Sequence, residues 1–147
     1  MLKNIFFVFI LSGFFLLNSC STYTIPVQSF KEQFEGMDTS KLIDVVVQGP
    51  MYERYHYKAN TISTIQCRDK DDIPSEMQNS PSIEARFTYG YKHKRVVFYF
   101  DKLYISNGYL VGCRSRFISS MTKTIPLDSI TKIEVQDGKK KFTYVNK

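Results

Sequence analysis

From Ile83 to Tyr89 the chain alternates strictly: Ile83, Ala85, Phe87 and Tyr89 fall on one side, and Glu84, Arg86 and Thr88 on the other. A period of two puts the two sets on opposite faces of a half-buried strand, which no helical period can do. Other segments carry the same preference. Residues 42–47, LIDVVV, form a compact β-rich run stopped by Gly49-Pro50, while Tyr55-His56-Tyr57 and residues 62–68 read as two more strands around Asn60. Asn107-Gly108 separates Leu103-Tyr104-Ile105 from Tyr109-Leu110-Val111 and supplies the positive φ values of a type I′ turn. A two-residue loop sets Ile105 opposite Leu110 and Tyr104 opposite Val111. Asp137-Gly138 reads as a second hairpin, with Ile133 opposite Phe142 and Glu134 opposite Lys141. Between the hairpins, Thr124-Ile125-Pro126-Leu127 leads into a strand over residues 130–135.

Helical signal is confined to one place. Ser29 with Glu32 three residues later has the form of a capping box, and Phe30 and Phe34 share a helical face, so a short helix is expected from Ser29 to near Gly36. Residues 69–82 hold four acids and two prolines and are expected to form the longest loop. Together these elements predict a mainly β fold: an antiparallel meander of about seven or eight strands, closed as a small β-barrel or stacked as a sandwich, with a short N-terminal helix.

The beginning of the chain has a different character. A basic tip at Lys3 precedes an apolar stretch from Ile5 to Leu17, then Asn18, Ser19 and Cys20. This is the layout of an export signal, and the 13-residue length of its apolar stretch falls short of the roughly 20 that span a bilayer. Leu17-Asn18-Ser19-Cys20 resembles the lipobox of bacterial lipoproteins, although Asn18 departs from the usual small or hydroxyl residue. The resemblance implies removal of residues 1–19, a diacylglycerol on the Cys20 sulfur and an acylated new amino terminus. It implies a membrane partner through that lipid and a place in the cell envelope. Ser21 rather than Asp after the cysteine favours the outer over the inner membrane. The alternative is an ordinary cleaved secretory signal with an incidental cysteine. Residues 20–28, with Pro26, then read as a lipidated tether, and residues 29–147 as a single β-rich domain. The eight residues after Cys20, residues 21–28, extended at roughly 3.3 Å each, reach about 26 Å, keeping that domain near the headgroups.

The formal charge is +6, falling to +5 once Lys3 leaves with the signal. So mild an excess suits a surface near anionic lipid or polysaccharide, and equally an ordinary solvated surface. With an export signal and no recognisable binding motif, a nucleic-acid partner is not expected. All 10 tyrosines and seven of the 12 phenylalanines lie beyond the signal, with no tryptophan. Aromatic packing on strands is the direct reading, and a carbohydrate-stacking platform the alternative. Residues 96–100, the Asn-Gly hairpin and the IPLDSITKIEV run of residues 125–135 resemble the middle of bacterial pleckstrin-homology-like and GRAM-like domains. The long carboxy-terminal helix of that family is absent, and no binding residues are implied.

Candidate chemistry is sparse. His56, between two tyrosines in a strand, is expected to face solvent, and His93 to sit at a charged hairpin tip. Neither stands in a catalytic or metal-binding spacing with Cys67 or Cys113. Asp69, Asp71, Asp72 and Glu76 lack the sharp glycine turn of a calcium loop. No phosphate loop, G-x-S-x-G or H-E-x-x-H occurs, so neither an enzyme, a metal nor a cofactor is expected. Three basic clusters remain: Lys92, Lys94 and Arg95; Arg114 and Arg116; Lys139, Lys140 and Lys141. Brought together they would form an anion-binding patch, and apart they would guard sheet edges. Cys67 and Cys113 are the thiols left once Cys20 carries lipid. A bridge between them would enclose 45 residues and add about 4 kcal/mol, the alternative being two separate buried thiols. The functional expectation is a non-catalytic, membrane-anchored binding or assembly module with an envelope protein partner. An envelope enzyme, or a binder of a lipid headgroup or glycan, is the alternative.

Overall fold

The computed structural model describes residues 21–147; Cys20 and the expected export signal lie outside them. The chain is mainly β, with twelve short strands and one α-helix among the described residues. The strands form three antiparallel sheets in a sandwich-like arrangement. The largest sheet runs in the order β5 (Pro74–Gln78), β4 (Thr64–Arg68), β1 (Thr22–Thr24), β11 (Ile130–Asp137), β6 (Ile83–Tyr89) and β7 (Lys94–Tyr99). It stays open, with β5 and β7 at its edges, so the barrel alternative does not hold. Nor is it a simple meander, because β11 inserts between β1 and β6. A second sheet orders β10 (Thr122–Pro126), β9 (Tyr109–Cys113) and β8 (Tyr104–Ser106), and a third orders β12 (Thr143–Asn146), β2 (Ile43–Gln48) and β3 (Arg54–Ala59).

The alternation at Ile83–Tyr89 does what its period demands. Ile83, Ala85 and Phe87 enter the main core, while Glu84 and Arg86 lie half-buried on the outer face. The helix α1 (Val27–Gln33) packs across the inner face of the large sheet. Its Phe30 stacks on Phe34 at 4.4 Å between ring centroids and meets Phe87 edge-on at 5.4 Å. Such ring pairs add about 0.5–1.5 kcal/mol beyond their area burial. Leu110 of β9 and Ile125 of β10 close the same core from the second sheet, and Val45, Val47 and Ala59 form a small separate core under the third.

Four expectations need correction. Residues 22–28 are not a free tether: β1 pairs with β11 through Thr22↔Gln136, Tyr23↔Val135 and Thr24↔Glu134, filling the slot between β11 and β4. The helix starts earlier than Ser29, with Pro26 at its N-cap and no side-chain cap. Ser29 therefore lies inside the helix, where its Oγ accepts from Gln33 Nε2 at 3.2 Å. Residues 69–82 are not one loop, since β5 pairs with β4 and only a turn separates them. Asp69 Oδ1 holds that turn by accepting from the amides of Asp71 and Ile73. The polar strand β5, PSEMQ, lacks the apolar alternation that betrays β6, and the count exceeds seven or eight.

The fourth correction is the Asp137-Gly138 hairpin. β11 already has a ladder partner on each side, β1 and β6, so no edge is left for Phe142. Asp137 Oδ1 instead accepts from Ser82 Oγ at 2.6 Å and from the Lys139 amide, and the chain moves off to pair Tyr144 with Val47 on β2. The Asn107-Gly108 hairpin forms as read, with φ of 50° and 78° at the turn and Ile105 opposite Leu110.

Candidate functional site

The edge strand β7 brings one member of each basic cluster together. An open cavity of about 360 Å³ runs along Arg95–Tyr99, walled further by Glu84, Arg114 and Lys140. Its size falls within the range of ligand pockets. Arg95 comes from β7 itself, Arg114 from the residue just after β9, and Lys140 from the segment between β11 and β12. Crossing of β9 over β7 is possible because residue 112 is glycine: a Cβ there would lie 2.3 Å from Cγ of Phe98. That close approach carries Arg114 to the β7 edge.

Charge in the cavity is unbalanced, three cations standing against the single carboxylate of Glu84. Lys140 donates to Glu84 and, at 2.9 Å, to the Tyr99 hydroxyl. Partial burial works to lower its pKa, but those two hydrogen bonds outweigh it and hold the ammonium above the ordinary lysine range. Arg95 feels Glu134 only through space: the Lys132 hydrogen bond is the main cause holding that carboxylate below its usual range, burial opposes it, and the charges of Lys132, Arg86 and Arg95 add to the lowering. The Arg114 guanidinium has no partner among the described residues. Two guanidinium groups are thus left to receive an anion, the geometry in which arginine binds carboxylate or phosphate best.

The other members of the basic clusters go elsewhere. Lys92 lies in the β6–β7 turn near the Tyr91 ring, and Lys92 and Lys94 line a separate hollow with Tyr89 and Pro126. Lys139 and Lys141 are exposed on either side of Lys140.

Arg116 is not part of any patch, and the expectation that placed it there is overturned. Its side chain is wholly buried, with its guanidinium carbon 4.1 Å from the Tyr99 ring centroid, 5.3 Å from that of Tyr57 and 5.5 Å from that of Phe142. Its Nη1 is 3.4 Å from Asp101 Oδ2 and also donates to the Tyr57 hydroxyl, while its Nη2 donates to the Pro81 carbonyl. Asp101, equally buried, accepts in addition from the hydroxyls of Tyr57 and Tyr144, the latter at 2.9 Å. Burial first, and the Asp101 charge second, push both phenols well above the ordinary tyrosine range. This knot joins β3, β12 and the loop after β9, and so clasps the third sheet to the body of the protein. No local pattern flags Asp101, Tyr57 or Tyr144, because their partner is far away along the chain.

Cys67 and Cys113 are both buried and free. Cys67 Sγ donates to Ser75 O at 3.4 Å in the large sheet, and Cys113 Sγ to Ser115 O at 2.9 Å beyond the second. The two thiols point at different backbones, so the bridge is not formed. Burial first, then the charges of Asp69 and Glu76, push the Cys67 thiol up and keep it protonated. His56 and His93 are exposed. Among the described residues no cluster of histidine, cysteine and acids could hold a metal ion, and no helix is long and apolar enough to cross a membrane. No protein-family model, no curated protein and no solved structure matches the chain.

Proposed function

We propose that the chain is a lipid-anchored module of the bacterial cell envelope, favouring the outer membrane, which binds an anionic partner through the β7 groove and carries out no chemistry on it. The convergence of Arg95, Arg114 and Lys140 on one open groove carries this reading.

The position of the groove relative to the anchor supports it. Thr22, Gln136, Glu84 and Tyr99 lie in one row across β1, β11, β6 and β7. Three strand spacings of about 4.8 Å put the groove roughly 14 Å from where the chain enters the sheet. Cys20 precedes Thr22 by two residues, a reach of about 7 Å. A lipid on Cys20 would thus hold the groove close to the membrane surface, with little freedom to turn away. Several acyl chains, each buried CH₂ contributing about 0.8 kcal/mol, make such an anchor effectively permanent.

Two measurements in intact cells test the two halves. Labelling with a radioactive fatty acid should mark the parent and spare Cys20→Ala; equal incorporation would refute the anchor. A photo-crosslinker at exposed Val97, in the wall of the groove, should give a discrete adduct that one at exposed His56, on β3, does not. Indistinguishable products from the two positions would refute the groove as the binding surface.

A further inference from the structure

We propose that the groove takes an extended acidic segment of a partner protein, added to β7 as a further strand. The inference rests on the reading of the groove as a binding surface and names its occupant.

β7 is the last strand of the large sheet, and five consecutive residues of it, Arg95–Tyr99, form one wall of the cavity. A strand edge presents alternate N–H and C=O groups away from its neighbour, here away from β6, and so offers a template for another strand. The opposite edge, β5, begins with Pro74 and carries Glu76, whereas β7 contains no proline and no acid. Its own cations repel a second copy of the same edge and attract an acidic one.

Spacing refines the ligand. Arg95, Val97 and Tyr99 alternate with the buried Val96 and Phe98, so they share the outer face of β7. Arg95 and Tyr99, the latter carrying Lys140 on its hydroxyl, are four residues apart, about 13 Å along a strand. An incoming strand has the same rise, so acids four residues apart on one of its faces match Arg95 at one end and Lys140 at the other. The residue midway between them falls beside Val97, which is 40 % exposed, and is best apolar. Arg114 stands over the same groove for either carboxylate. The recognised pattern is therefore acid, any, apolar, any, acid, in extended conformation.

The test uses the full-length protein in nonionic detergent and a seven-residue probe of threonines, with Glu at its second and sixth positions and Val at its fourth. It should bind, slow the hydrogen exchange of alternate β7 amides, and weaken with salt. Lysine in place of both glutamates should weaken binding at least tenfold. N-methylation of the alternate amides that face β7 should do the same, and methylation of the other set should change little. Arg114→Ala should weaken the probe several-fold without altering the unfolding midpoint. Equal binding of both N-methylated probes would overturn strand addition. So would failure of the probe alongside Arg114-dependent binding of phosphatidylglycerol micelles or inorganic phosphate, which would make the site a phosphate site. Cys20→Ala should leave probe binding intact, so loss of the anchor reading and loss of this inference give separate signatures.

Discussion

Arg114 and Arg116 are two residues apart and live in opposite worlds. Arg114 is exposed over an open groove with its guanidinium free, whereas Arg116 is wholly buried, paired with Asp101 and boxed by Tyr57, Tyr99 and Phe142. Tyr99 serves both regions: its ring faces Arg116 and its hydroxyl accepts from Lys140 in the groove. The contrast separates two uses of positive charge. A buried guanidinium holds the fold only because every neighbour was built around it, and an exposed one contributes almost nothing to stability and remains available for a ligand.

Breaking the buried side should have the largest effect. Arg116→Ala leaves the Asp101 carboxylate buried without its counter-charge and should lower the unfolding free energy by about 3–5 kcal/mol, read from urea melts. A loss below about 1 kcal/mol would mean that water reaches Asp101. Gly112→Ala comes next, because its Cβ would meet the Phe98 ring at 2.3 Å. Displacing that ring or β9 should cost about 1–3 kcal/mol. The same variant should loosen Arg114 from the groove.

Tyr144→Phe removes one donor from Asp101 and should cost about 1–2 kcal/mol, since the carboxylate stays buried. It also bears on the alkaline limb. The folded chain keeps the phenolic protons of Tyr57 and Tyr144 at a pH where the unfolded chain, with ordinary tyrosines near pH 10, releases them. Their stabilisation is complete below about pH 10 and falls as pH rises beyond it. Urea midpoints followed from pH 8 to 11 should decline at the top of that range, less steeply in Tyr144→Phe. The smallest effect belongs to the groove: Arg114→Ala should change stability by no more than about 0.5 kcal/mol.

Much of the fold is legible in the sequence wherever one strand carries its own signal. Alternation gives β6, and an Asn-Gly turn gives the β8–β9 hairpin with its register. The chain is unreadable where a strand's identity depends on what lies beside it. Thr22–Thr24 is a strand because a slot exists between β4 and β11. Asp137-Gly138 fails as a hairpin because β11 has no free side. The three basic clusters are visible as charge, but their fates are decided by tertiary neighbours. Arg95, Arg114 and Lys140 meet because Gly112 lets β9 cross Phe98, and Arg116 is buried because Asp101 and three aromatic rings wait for it.

Urea unfolding of the parent, Arg114→Ala and Arg116→Ala, each with and without a saturating excess of the acidic seven-residue probe, puts the comparison to its most direct test. A ligand at one hundred times its Kd should raise the stability of a competent protein by about 2.7 kcal/mol. The parent midpoint should rise with probe. Arg114→Ala should match the parent without probe and rise less with it, and Arg116→Ala should start far lower. The account is contradicted if Arg114→Ala unfolds as early as Arg116→Ala, or if the probe raises Arg114→Ala as much as the parent.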